Sequence, residues 1–347
     1  MSGSYTYFAD GDVLLAKITP CFENGKLGVA RGLTNGVGFG SSEYIVLRPA
    51  PTLNAEFLYY YLARPTFLEE GARTMTGAVG HKRVTKEFVE GYSIPLPPLT
   101  EQRRIVAILD EAFEGIATAK ANAEKNLQNA HALFNGFMRK ALDDCEGSED
   151  EKALEQLCLI GDGNHSSNYP TKNELVEEGV PFIRATNLVA GRISGSDMRY
   201  LSPLKHAQLK KGHLKTGDIL ITNRGEIGKT ALIDEAYDGA NLNSQIAWLR
   251  CRDMMHTKFL FHVLNSEKIQ NHFQSSKSGT ALQQFTIKQL KALRIPHPTI
   301  ALQVSLAERL DEFAEGSRTL EDVYSRKLSA LDELRKSLLH RAFTGAL

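Results

Sequence analysis

Cysteine is sparse here and never paired. Cys21, Cys145, Cys158 and Cys251 are scattered, with no close Cys pair and no Cys/His cluster at zinc-finger spacing. A zinc finger is thereby excluded, and a reducing cytoplasm is the simplest setting. Long apolar runs are missing as well. No stretch could span a bilayer and no signal peptide is recognisable, so no membrane partner is expected. Net charge is absent: Lys+Arg and Asp+Glu both number 41, so the overall balance points to no partner. Catalytic motifs are also wanting. There is no zincin motif, no nucleophile elbow, no dinucleotide glycine fingerprint and no Asn-Pro-Pro-aromatic motif of an amino-methyltransferase. The chain alone is therefore not expected to be an enzyme, and no cofactor or metal is assigned to it.

What is present is a duplication. A shift of 201 positions carries Ile94, Pro95 and Pro97 onto Ile295, Pro296 and Pro298, and Gln102 onto Gln303. It also carries Leu109-Asp110-Glu111 onto Leu310-Asp311-Glu312. A Pro-punctuated strand end thus leads twice into the same long amphipathic helix. The apolar seam is read as Ile105, Leu109, Ala112, Ile116, Ala119, Ala123, Leu127, Ala130, Leu133, Phe137 and Ala141, with matching positions from Leu306 to Ala342. Roughly forty residues at about 1.5 Å each make a rod near 60 Å long. Its apolar stripe must be buried, and its own duplicate is the nearest candidate.

The repeat extends upstream. Val13 to Ala16, a turn at Asn24-Gly25 and Leu27 to Val29 read as a hairpin. Gly217 to Ile221, a turn at Arg224-Gly225 and Lys229 to Ile233 read the same way. Gly25-Lys26 aligns with Gly228-Lys229, and Glu56-Phe57-Leu58 aligns with Lys258-Phe259-Leu260 as a short helix in each copy. The copies are unequal. The second has a further segment from Leu154 through Pro203, whereas only ten residues precede Gly11-Asp12. About fifty residues of one repeat lack a counterpart, so the first domain is expected to be incomplete at its N-terminus. Acidic residues crowd around Gly147-Ser148, which reads as a linker. The expected domains are 1–98, a helix over 99–144, an acidic linker over 145–152, a second domain over 153–298 and a second helix over 299–347.

This order resembles the specificity subunit of type I restriction–modification enzymes. The resembling residues are Gly11-Asp12-Val13-Leu14, Gly217-Asp218-Ile219-Leu220 and Ile94-Pro95-Leu96-Pro97-Pro98-Leu99-Thr100-Glu101-Gln102. Pro181-Phe182-Ile183-Arg184-Ala185-Thr186-Asn187-Leu188 and the terminal Arg341-Ala342-Phe343-Thr344-Gly345 add to them. The resemblance implies α/β (α+β) target-recognition domains in tandem duplication, separated by two long antiparallel coiled-coil helices. Each domain would read one half of a split double-stranded DNA sequence. Methylation would reside on modification subunits carrying S-adenosylmethionine, and cleavage on a restriction and translocase subunit. The shortened first domain and the altered lead-in Thr299-Ile300-Ala301-Leu302-Gln303 depart from the pattern.

Several loops carry side chains suited to DNA. Gly225 to Thr230 invites a phosphate-loop reading, but Asn223 stands where that loop needs its first glycine. A basic turn is the better reading, with Arg224 and Lys229 as phosphate or base contacts. Base readout favours Arg for guanine and Asn or Gln for adenine. The candidates are Asn164, His165 and Asn168; Arg184 and Asn187; Lys277, Gln283 and Gln284; and, in the first copy, Lys26, His81, Lys82 and Arg83. Phe134 and Met138 lie off the helical seam and are candidate contacts for a modification subunit. The alternative function is a duplicated coiled-coil scaffold that binds other proteins; an ATP-handling enzyme would rest on Gly228-Lys229-Thr230 alone.

Overall fold

A computed structural model describes residues 5–78, 80–143, 151–165, 169–276 and 283–346. Contacts divide the chain into two units, Met1–Leu127 with Asp322–Leu347, and Gln128–Glu321.

In the first unit β1 (Thr6–Ala9), β2 (Val13–Ala16), β3 (Leu27–Val29), β4 (Val37–Gly40) and β5 (Tyr44–Leu47) precede helices α1 (Ala55–Leu62), α2 (Pro65–Thr74) and α3 (Lys86–Glu90). β2 sits between β3 and β5 in an antiparallel sheet, with Val13 opposite both Val29 and Leu47. β1 and β4 form a separate antiparallel pair. Val13, Leu15, Phe22, Leu62, Phe67 and Val84 are buried together beneath the helices. The long helix α4 (Leu99–Asp143) follows.

In the second unit β6 (Glu151–Ala153), helix α5 (Leu154–Leu157), β7 (Cys158–Asp162), β8 (Leu175–Val176), β9 (Val180–Ile183), β10 (Leu188–Val189), β11 (Arg192–Ile193) and β12 (Arg199–Leu201) come first. Then follow α6 (Pro203–Gln208), β13 (Ile219–Thr222), β14 (Thr230–Leu232), β15 (Asn241–Leu242) and β16 (Ile246–Cys251). Helices α7 (Thr257–Asn265), α8 (Glu267–Ser275) and α9 (Ile287–Ala292), β17 (Arg294–Pro296) and α10 (Ile300–Ala342) close the order. The main sheet runs β14-β13-β16-β7 and is antiparallel. A second sheet runs β15-β9-β12-β8, where β15 is parallel to β9.

The duplication is written into the hydrogen bonds. Asp12 is buried and accepts from Arg48 Nε and Nη2 at 2.8 and 2.7 Å and from Ala9 N at 2.7 Å. Asp218, also buried, accepts from Arg250 Nε and Nη2 at 2.7 Å each and from Lys215 N at 2.8 Å. The Arg48 hydrogen bonds hold the Asp12 carboxyl below the usual carboxylate range, against the effect of its burial. Buried Gln102 accepts from Asn54 N at 2.8 Å and donates to the Thr52 and Pro97 carbonyls at 2.9 and 2.8 Å. Buried Gln303 accepts from His256 N at 2.8 Å and donates to the Met254 and Pro298 carbonyls at 3.2 and 2.8 Å. The altered second lead-in thus keeps its clamp. Thr85 and Thr286 cap α3 and α9 at 3.2 Å each.

Within each unit the segments of α4 and α10 run antiparallel. In the first, Arg335 lies over the Phe113 ring at 5.2 Å and Lys120 meets Asp332 at 2.8 Å. In the second, Ser317 Oγ donates to the Ala130 carbonyl at 3.4 Å and Phe137 stacks on Phe313 at 3.9 Å.

Three expectations need correction. The helical seam drifts: Leu133 is 67% exposed, whereas Phe134 and Met138 turn inward. Inward positions at 130, 134, 138 and 141 follow spacings of three and four from Ala130, and the read seam took the wrong step at 133. Phe313, Leu320 and Leu334 of the second seam are likewise exposed. Glu151 and Lys152, read as linker, begin β6, which pairs with β17 through Lys152 opposite Ile295. Ile94-Pro95 forms no strand, because no counterpart of β6 exists among the described residues of the first unit. Cys158 and Cys251 are free thiols, as their sequence separation suggests, although β7 and β16 bring their sulfurs to 3.8 Å.

Candidate nucleic-acid interface

Strand register decides which loops meet. Asp162 lies opposite Ala247, and Thr222 opposite Ile246. The loops after β7 and β13 and the loop before β16 therefore emerge at one edge of the second unit's main sheet. Gly163 passes so close to Asn243 that a Cβ there would stand 2.2 Å from the Asn243 carbonyl oxygen, so no side chain fits. Asn223 N donates to the Gln245 carbonyl at 2.9 Å, and Phe285 N to the Asn223 carbonyl at 2.9 Å. Gly225 N donates to the Gln283 carbonyl at 3.0 Å, and Arg224 bridges to Gln284.

Asn164, His165, Arg224, Gln283 and Gln284 are thus gathered at this edge. Asn164 is buried, which removes it from direct contact with a base. His165 Nε2 lies 3.0 Å from Asp162 Oδ2, and Asp162 also accepts from Lys211 Nζ at 3.1 Å. Arg224 is half-buried and makes no ion pair among the described residues. Lys229 is exposed and pairs with Glu226 at 2.8 Å.

Asn187 belongs to the fold instead. It is 1% exposed, its Oδ1 accepts from Arg184 N at 3.0 Å, and its Nδ2 donates to the Ser194 and Ser196 carbonyls at 3.1 Å each. These bonds close the loop around the β10–β11 hairpin, and a side chain with every polar atom so engaged has none to offer a base. Arg184 Nη2 pairs with Asp197 at 2.9 Å, and Arg184 with Arg199 holds the Asp197 carboxyl below its ordinary pKa. Lys277 and Asn168 lie outside the described residues.

In the first unit Lys26, His81 and Lys82 are exposed. Arg83 is committed to its own fold: Nε and Nη2 donate to Glu43 at 2.9 and 2.8 Å, and Nη1 to the His81 carbonyl at 3.1 Å. The Arg83 hydrogen bonds hold the Glu43 carboxyl low.

Of the two helix candidates, Met138 is 3% exposed and sits in the second unit's core, so it offers no surface. Phe134 is half-buried and lines an apolar groove of about 570 Å³ with Leu133, Phe313 and Leu320.

Sequence reasoning passed over Asn223, Asn243 and Gln245, which the sheet places at the same edge. Asn243 Nδ2 donates to Gln245 Oε1 at 3.1 Å and its Oδ1 accepts from Gln245 N at 3.2 Å. Asn223 Oδ1 is buried and finds no donor among the described residues. The signal was the carboxamide-dense run Asn241-Leu242-Asn243-Ser244-Gln245 before a strand.

The family model for the type I restriction modification DNA specificity domain matches residues 4–128 and again 148–324. The Escherichia coli type I restriction enzyme EcoEI specificity subunit is 27% identical over 97% of this chain and 72% of its own length. The EcoAI specificity subunit, also from Escherichia coli, is 48% identical over 29% of this chain and 18% of its own length. Among solved structures, a chain from a type I R-M system aligns with a TM-score of 0.82 at 21% identity, covering 100% of this chain and 85% of the other. The HsdS subunit from Thermoanaerobacter tengcongensis aligns with a TM-score of 0.61 at 21% identity, covering 98% and 82%. Both share the fold. A family model matched twice over most of the length, on a frame whose hydrogen bonds are duplicated, places the chain among the specificity subunits of type I restriction–modification systems.

Proposed function

We propose that the chain binds a bipartite sequence in double-stranded DNA and directs adenine methylation and restriction carried out by partner subunits, without performing chemistry itself. On this reading residues 1–98 and 153–298 are the two readers. The helices within 99–144 and 299–347 set the gap between the half-sites. The exposed apolar groove at Phe134 suits a modification subunit carrying S-adenosylmethionine, and the complex works in the cytoplasm beside its DNA.

One observation carries this reading: the two units share the backbone bonds of one loop cluster, yet present different side chains there. Lys17 N donates to the Glu43 carbonyl at 2.9 Å as Asn223 N does to Gln245, and Thr19 N donates to the Lys82 carbonyl at 2.9 Å as Gly225 N does to Gln283. A common scaffold with exchanged loop chemistry is what reading two unlike half-sites requires. The test is a methylation map of DNA from cells making this chain with its modification subunits. A split motif with two defined halves is expected; methylation without sequence preference, or none, overturns the proposal.

A further inference from the structure

The shared frame allows positions in the two units to be compared place by place. Ile18 bridges to Arg83 as Arg224 bridges to Gln284. Val84 N donates to the Lys17 carbonyl at 2.9 Å as Phe285 N does to that of Asn223. Glu43 therefore corresponds to Gln245, and Arg83 to Gln284. In the first unit the two side chains meet through paired bonds of 2.8 and 2.9 Å. That contact establishes that the two places share one face of the edge, within side-chain reach of each other.

In the second unit the same face carries two carboxamides, with Gln283 exposed beside them and Arg224 between their backbones. A neutral carboxamide can donate to a phosphate but releases no counterion there, so it gains less than a cation does. It does match a base edge that offers one donor and one acceptor, and in the major groove that edge is adenine N6 and N7. Buried Asn243 fixes Gln245, its Nδ2 donating to Gln245 Oε1 at 3.1 Å and its Oδ1 accepting from Gln245 N at 3.2 Å, and the backbone of buried Asn223 joins the Gln245 and Phe285 segments. A carboxamide fixed as Gln245 is loses less freedom on binding than a mobile one.

We propose that Gln245 and Gln284 form the adenine-reading site of the second unit, at the place where the first unit closes the same face with the Glu43–Arg83 ion pair. The proposal rests on the DNA-reading function above and names the base it reads at one position. In the first unit three of the five Arg83 N–H donors hold Glu43 and the His81 carbonyl, so the corresponding side chains are paired with each other.

The test compares methylation maps from cells making the modification subunits with the unaltered chain, with Gln245→Ala/Gln284→Ala, and with Gln245→Glu/Gln284→Arg. The last variant installs a pair that the frame already accommodates in the first unit. In both variants one adenine position in one half-site loses its preference by about tenfold or more, while the other half is unchanged. An unchanged motif in both overturns the inference and leaves the function standing. Relaxation of both halves together, or loss of all methylation in both variants, also overturns it, because the pair would then act through the fold. Absence of a split motif with the unaltered chain rejects the function itself.

Discussion

Asp218 and Asp12 are carboxylates without solvent, each held by one arginine fork and one backbone N–H. A buried charge tolerates its partner's loss poorly, since desolvation has already been incurred. Asp218→Asn leaves Arg250 facing an amide and weakens the joint between β13 and β16. We expect a loss of about 2 to 3 kcal/mol, read as a lower urea midpoint at unchanged slope. The residue scale also shows where a sequence misleads. Asn187 and Asn164 are polar residues in loop-like stretches, the usual mark of a surface reader. Asn187, however, spends its polar atoms on three backbone groups, and Asn164 is covered. Sequence gives residue type without solvent exposure, and exposure separates a loop-closing Asn from a base-reading one. Gln245 failed in the opposite sense, since its register opposite Asn223 depends on strand pairing.

At the scale of elements, each short helix following the main sheet is tied to its long helix through an aspartate on the long helix, and the partners differ. Tyr60 hydrogen-bonds Asp110 in the first unit, whereas His262 Nε2 meets Asp311 at 2.7 Å in the second, with Lys258 on the same carboxylate at 2.7 Å. Burial holds the His262 imidazole below its ordinary pKa, with Asp311 pulling the other way. Burial and then the Asp110 bond push the Tyr60 hydroxyl up, so it stays protonated. A depressed histidine is fully stabilising above its unfolded pKa, about 6.5, and that stability drains away as pH falls below it. Between about pH 7 and pH 5 the urea midpoint should fall for the unaltered chain, and His262→Tyr should flatten the fall. An equal fall in both would show that other groups govern it. The two helices and both hairpins were legible because apolar spacing and the turn glycines mark them. The seam beyond Ala130 was not. A helix turns 3.6 residues at a time, so steps of three and four must alternate, and Leu133 and Phe134 are equally apolar. Only the packed partner decides between them.

For the whole molecule, formal neutrality means that attraction to DNA must come from local clusters. Arg224, without an ion pair among the described residues, is one such cation. Arg224→Ala in the assembled complex should weaken duplex binding and lower the salt slope by about one. An unchanged affinity and slope at several salt concentrations would remove it from the contact surface. The fold's repetition was visible in the sequence, but the two copies differ in how one strand is flanked. In the second unit β15 receives β9 along its outer edge, Asn241 opposite Phe182. The corresponding strand β4 has no such neighbour among the described residues, and Phe39 (69% exposed) and Tyr7 (49%) stand against each other beside it. One side of β4 pairs with β1, and an unpaired strand side next to exposed aromatic rings is the kind of edge that another extended segment can join. Phe39→Lys should reduce self-association measured by light scattering, whereas the same charge placed at an already exposed helical site such as Glu114 should not.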